Sequence, residues 1–136
     1  MKTAVIYYSW SGHTGAIAKS RAEKEGAGLF EIKDEARPGT LKAYTIGGFQ
    51  AMRMKRTPVL PFTAPLEEFD RVIIMAPVWA GYPAPAINTV FDALPSGKKV
   101  TVCLVSGSGR SGCREKITAL VNSKGCELAG FEDIKG

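Results

Sequence analysis

Ala4-Val-Ile-Tyr-Tyr-Ser-Trp-Ser-Gly-His-Thr-Gly15 joins a short apolar run to a loop of hydroxyls and glycine, and a pattern of helical period follows at once. A strand that feeds directly into such a loop and then a helix N-terminus builds an anion site. Unpaired backbone N–H groups and the positive end of the helix dipole converge there. Ser9, Ser11 and Thr14 add side-chain donors. No Lys interrupts the stretch, and its spacing is not the G-x-x-x-x-G-K of a nucleoside-triphosphate loop. The reading therefore favours a single terminal phosphate, and with it a phosphorylated cofactor.

Working outward, Thr3 to Tyr8, Leu29 to Ile32, Val72 to Ala76 and Lys99 to Val105 are short runs rich in Val, Ile and Leu. They mostly lack the alternation of a half-exposed strand, which predicts strands buried on both faces. Between them lie stretches of helical period. Gly15 to Glu25 stops at Gly26, Pro85 to Leu94 lines up Ile87, Val90, Phe91 and Leu94, and Gly112 to Lys124 ends at Gly125. A crossover from Thr40 to Phe62, with two or three turns of helix around Phe49 to Met54, and a short fifth strand around Glu127 to Phe131 complete the expectation. Alternating strands and helices imply right-handed β-α-β crossovers and a parallel sheet covered on both faces. Ligands collect at the carboxyl ends of such strands, where the strand order reverses. The loops Ser9 to Thr14, Pro77 to Ala84 and Ser106 to Gly112 all follow strands, so they share that edge.

At 136 residues the chain is expected to form one domain spanning 1–136. Its 45% hydrophobic and 23% charged content is that of a globular protein, and no apolar run approaches a membrane span. With strand one beginning at residue 3, the expected location is cytoplasmic. The net charge of +5 comes from basic residues scattered among acidic ones, apart from Arg53-Met-Lys-Arg56. That distribution argues for a solvated surface and against nucleic acid. Cys103, Cys113 and Cys126 form no metal-ligand pair, and the single His leaves no zinc site to assemble. They read as reduced structural thiols. Cys103 and Arg110 superficially suggest a phosphatase loop, but six residues separate them where that chemistry needs five.

Ser9-Trp-Ser-Gly-His-Thr14, Asp70-Arg-Val-Ile-Ile-Met-Ala-Pro-Val-Trp-Ala-Gly-Tyr-Pro83 and Gly97-Lys-Lys-Val-Thr-Val-Cys-Leu-Val-Ser-Gly-Ser-Gly109 together resemble the flavodoxin-like flavoproteins. The first matches that family's phosphate loop, hydroxyl-x-hydroxyl-Gly-x-Thr; the others resemble its third and fourth strands with the two loops that touch the flavin ring. The resemblance covers nearly the whole chain in the family's order. It implies an α/β fold, a three-layer α/β/α doubly wound parallel sheet with strand order 2-1-3-4-5, and FMN as cofactor. The family's closing C-terminal helix is missing, which would leave one sheet face or edge to be covered by a second subunit as a homodimer.

The FMN-binding residues implied are Ser9, Trp10, Ser11, Gly12, His13 and Thr14 for the phosphate; Pro77, Val78, Trp79, Ala80, Gly81 and Tyr82 in the first ring loop, where Trp79 and Tyr82 offer stacking surfaces and Gly81 allows close backbone approach; and Ser106, Gly107, Ser108 and Gly109 for the pyrimidine edge or a second anion. No metal is implied. With such a cofactor the redox chemistry belongs to the flavin, and the protein sets its potential and access. Neither ring loop carries Asp or Glu and Arg110 lies in one of them, which favours reduction and an anionic partner or acceptor. Three functions follow: a carrier exchanging electrons with a redox partner protein or small acceptor, a small FMN-dependent NAD(P)H:quinone-type oxidoreductase, or a cofactor-free binding module on the same fold.

Overall fold

The computed structural model describes residues 2–34, 59–60 and 64–136. The expected helix around Phe49 to Met54 and the basic run Arg53 to Arg56 lie outside the described residues. Among the described residues, five parallel strands, β1 (Thr3–Tyr8), β2 (Gly28–Ile32), β3 (Arg71–Trp79), β5 (Lys99–Ser106) and β6 (Glu127–Lys135), form the sheet. A two-residue strand, β4 (Tyr82–Pro83), folds back antiparallel on the end of β3. The order across the sheet is β2-β1-β3-β5-β6. It is the expected 2-1-3-4-5 among the parallel strands, renumbered because β4 intervenes in the chain.

Helix α1 (His13–Glu25) covers one face; a 3-10 turn at Pro85–Ile87 running into α2 (Asn88–Ala93), with α3 (Arg114–Ser123), covers the other. The alternate sides of each strand explain the division. Ile6, Tyr8, Ile74, Val102 and Leu104 point to Ile87, Phe91, Ile117 and Val121, whereas Val5, Tyr7, Ile73, Met75 and Cys103 lie beneath Ala18 and Ala22. The small alanines let α1 sit close to the sheet. The predicted stripe Ile87, Val90, Phe91, Leu94 is buried as a set, although its first turn is 3-10, with Pro85 at its start.

Three elements differ from expectation in extent. α1 begins at His13, two residues early, because Gly12 takes a left-handed conformation (φ 100°) and turns the chain into the helix. β3 continues past Ala76 to Trp79, since Pro77 pairs with Val105 and residues 78 and 79 pair with β4. β6 is nine residues long, with Ala129 left over between Leu128, opposite Val100, and Gly130, opposite Thr101. This bulge and the carboxylates of Glu132 and Asp133 break up a regular outer edge, which disfavours indiscriminate strand pairing.

On the α1 face, Arg21 spans to β6. Its guanidinium donates to both carboxylate oxygens of Glu132 (3.1 and 2.8 Å) and to Glu25 (2.6 Å). Arg21 holds the Glu132 carboxyl below the ordinary value of 4.5. A carboxyl lowered in the folded state contributes stability above its unfolded pKa and loses it as pH falls through the folded one. Wild-type protein should therefore exceed Glu132→Gln in stability at neutral pH, and the gap should close below about pH 4.5. Urea unfolding of both proteins across that range checks this; a pH-independent gap would overturn it.

Beneath the bridge lies Cys103, fully buried, its thiol pushed up to about 12 chiefly by burial and next by the Glu132 charge. Burial raises Cys113 as well. A thiol that stays protonated is a poor nucleophile. Both should resist disulfide-exchange reagents at about pH 8 in native protein and react on unfolding. Fast native labelling of Cys103 would contradict the structure. No disulfide joins the three cysteines. Among the described residues there is no metal-binding cluster of His, Cys, Asp and Glu, and no helix long and apolar enough to cross a membrane.

Candidate functional site

The carboxyl ends of β1, β3 and β5 open onto a cleft of about 370 Å³ lined by Trp10, Ser11, His13, Thr14, Pro77, Val78, Trp79, Ala80, Val105, Ser106, Gly107 and Gly136. All three loops singled out from the sequence contribute. Among the described residues, no charged or titratable side chain apart from His13 lines it.

The first loop is built around Ser9. Its Oγ accepts the N–H groups of Gly12 (3.1 Å) and Gly15 (3.0 Å), so this hydroxyl is spent largely on shaping the turn and does not line the cleft. Ala16 donates to Gly12 O at 3.1 Å, the first helical bond of α1. Among the described residues, the N–H groups of Ser11, His13 and Thr14 find no acceptor. They sit at the helix N-terminus together with the Ser11 and Thr14 side chains, and all three residues line the cleft. Ser11 and His13 are exposed and Thr14 is buried. Unsatisfied donors at a positive helix end are the physical requirement for holding a phosphate dianion.

Trp79 forms the second wall. Its ring meets Tyr8 at 6.2 Å and 83°, and Trp10 at 6.3 Å and 87°, so edge-to-face packing fixes it from two sides. Tyr8 is itself anchored through its hydroxyl, which donates to the Asp34 carboxylate. The Trp79–Tyr82 hairpin turns through Ala80 (φ 51°) and Gly81 (φ 84°). Two positive φ angles match a two-residue hairpin turn, a geometry that favours Asn-Gly and strains alanine by about 1 kcal/mol. Gly81 is required twice over, since a side chain there would start 3.1 Å from the Ser111 carbonyl. Ala80→Asn should stabilise the protein by about 0.5–1 kcal/mol and Ala80→Val destabilise it by about 1–2 kcal/mol, both read from urea midpoints. Equal stability of the two variants would refute the strain.

The third loop repeats the device of the first. Ser106 Oγ accepts the N–H groups of Gly109 (3.0 Å) and Arg110 (3.1 Å). Among the described residues, the N–H groups of Gly107 and Ser108 are left without an acceptor. Arg110 is exposed and does not line the cleft, so its charge acts on the site through solvent.

Ten of the sixteen anticipated residues thus line one cleft. Ser9 and Gly12 shape the phosphate loop from behind, Gly81 and Tyr82 complete the hairpin, and Ser108 and Gly109 lie in the third loop away from the wall. Two lining residues were not anticipated. Val105 precedes Ser106 and is legible in retrospect as the strand's last residue. Gly136 arrives through long-range pairing, its N–H donating to Ser106 O at 2.9 Å, for which there is no local signal.

No curated protein matches this chain in sequence. Among solved structures, the flavoprotein from Lactobacillus acidophilus NCFM in complex with FMN is 25% identical, with a TM-score of 0.78 over 96% of this chain and 91% of that one. The oxidised flavodoxin 1 of Bacillus cereus shares 17% identity and a TM-score of 0.58, covering 100% and 86%. A point mutant of Fusobacterium nucleatum flavodoxin, bound to flavin mononucleotide, shares 16% and 0.57, covering 94% and 67%. These last two show the common fold. The flavodoxin family profile matches residues 2–127, including the first and third loops and the tryptophan-bearing hairpin between them. On its sequence and its architecture, this chain belongs to the flavodoxin family.

Proposed function

We infer that the cleft binds FMN and that the protein serves as an electron carrier. The observation that carries the reading is the set of N–H groups of Ser11, His13 and Thr14, without an acceptor among the described residues, at the start of α1 and beside the edge-fixed Trp79. The residues present fit the group at both ends. The helix start supplies donors and positive potential for a phosphate, and the wall of Trp10, Pro77, Val78, Trp79 and Ala80 suits a flat apolar ring system.

In this arrangement Ser11 and Thr14 would hold the phosphate, Trp79, braced by Trp10, would face the ring, and Gly107 would offer an N–H donor to its polar edge. FMN, when bound, supplies one- and two-electron redox chemistry. The chain's own part is to bind and orient. Tyr8 and Trp10 keep Trp79 from swinging, Trp79 and Val78 displace water from the ring side, and the uncharged wall leaves potential control to the backbone donors and the more distant basic residues. A fixed aromatic wall loses little conformational freedom on binding.

Titration of the purified protein with FMN, followed through the visible flavin band and quenching of flavin fluorescence, tests the reading. Saturable one-to-one binding supports it, and absence of any spectral change overturns it. Steady NADPH oxidation by the loaded protein without a partner would replace the carrier with a reductase.

A further inference from the structure

Beside the cleft mouth, four exposed cations lie along one arc: Arg110 in the third loop, Arg114 and Lys116 in the first turn of α3, and Lys135 at the end of β6. The arc is continuous with the site. A side chain on Gly109 would start 3.2 Å from Lys135 Cβ, and one on Gly81, in the hairpin that carries Trp79, would start 3.1 Å from Ser111 O. Two of the cations rest on aromatic faces. The Lys116 ammonium stands 5.1 Å from the Tyr82 ring centroid, and the Arg114 guanidinium 5.6 Å from that of Phe131. Aromatic support of this kind restrains a cation without neutralising it. Among the described residues none of the four pairs with a carboxylate, whereas Arg21, Arg71 and Lys124 all do. Glu115 and Asp133 lie on the same elements, exposed, and leave the arc net positive.

We propose that this arc is the docking surface for an acidic protein partner, seated so that its own redox group faces the cleft mouth. The inference rests on the FMN reading for its purpose, though not for its geometry. The cations are spread over a loop, a helix and a strand, and none of them lines the cleft. That is the layout of a rim meeting an extended acidic surface, where complementary charge steers encounter and sets orientation. One phosphate would instead call for donors converging on a point.

The test uses the full chain, isotope-labelled for amide NMR and titrated with a glutamate decapeptide, with and without FMN. Shifts should concentrate in residues 109–116 and 135, fade with added salt, and weaken about tenfold in the Arg114→Glu/Lys116→Glu variant. The Lys24→Glu/Lys99→Glu variant changes net charge equally at the opposite end of the strands and should retain the wild-type response. Equal weakening of both variants, or shifts spread over the whole surface, would overturn the proposal by reducing it to net charge. So would saturation of the same amides by 2′-phospho-ADP-ribose at concentrations well below those of the peptide, which would mark a nucleotide site. Failure of FMN to bind, read separately from its visible band, would sink the cofactor reading while leaving the peptide result to stand or fall on its own.

Discussion

The Ser11→Ala/Thr14→Ala variant should bind FMN about 10²–10⁴-fold more weakly than wild type, a loss of about 3–6 kcal/mol for two hydrogen bonds to a charged group. The argument starts from the end of β1. Ser9 consumes its oxygen in accepting Gly12 and Gly15, which leaves Ser11 and Thr14 as the hydroxyls at the cleft. Both sit over the N-terminus of α1, where the local potential is already positive and a phosphate oxygen would draw charge-assisted bonds. Thr14 is buried, so Thr14→Ser serves as a control that keeps the hydroxyl while removing the same methyl. It should recover most of the affinity. Flavin fluorescence titration measures the binding, and far-ultraviolet circular dichroism verifies the fold. Affinity of the double variant within threefold of wild type would remove the phosphate loop from the account.

The second large effect concerns stability. Ile74 lies midway along β3, the central strand, opposite Ile6 of β1 and Val102 of β5, and is 1% exposed. Its side chain belongs to the larger core, which includes Ile87, Phe91 and Ile117. Truncation there leaves a cavity that flanking strands held by backbone ladders cannot collapse around. Ile74→Ala should therefore cost about 2–5 kcal/mol, a large share of the 5–15 kcal/mol typical of a domain. Leu29→Ala offers the contrast, since Leu29 is 37% exposed on the edge strand β2; it should cost less than about 1 kcal/mol. Urea unfolding measures both, and similar losses for the two variants would contradict the assigned core.

Much of this was legible in the residues. Unbroken apolar runs such as Val72 to Ala76 disclose strands buried on both faces, because a parallel strand covered by helices has no solvent side to make polar. The stripe Ile87, Val90, Phe91, Leu94 discloses its helix for the complementary reason, a single apolar side at helical spacing. Where the chain obeyed local rules only weakly, boundaries moved. Pro77 and the aromatics after it read as loop, since proline is rare inside sheets. The structure admits Pro77 at the end of β3, where the strand is about to leave the ladder for its hairpin. Ser9 read as a phosphate donor, and only the folded turn shows its Oγ engaged by Gly12 and Gly15.

The sequence by itself determined the alternation of strand and helix, the side of the sheet on which ligands gather, and the hydroxyl-glycine loop after β1, because each depends on residues close together along the chain. The tertiary structure alone decided that Trp10 and Tyr8 would brace Trp79, that Arg21 would reach Glu132 across Cys103, that Gly136 would close against Ser106, and that Arg114 and Lys116 of α3 would rest on the rings of Phe131 and Tyr82. Those pairs are set by strand order and register, which no short window of sequence encodes; the parallel sheet must close before such distant residues become neighbours.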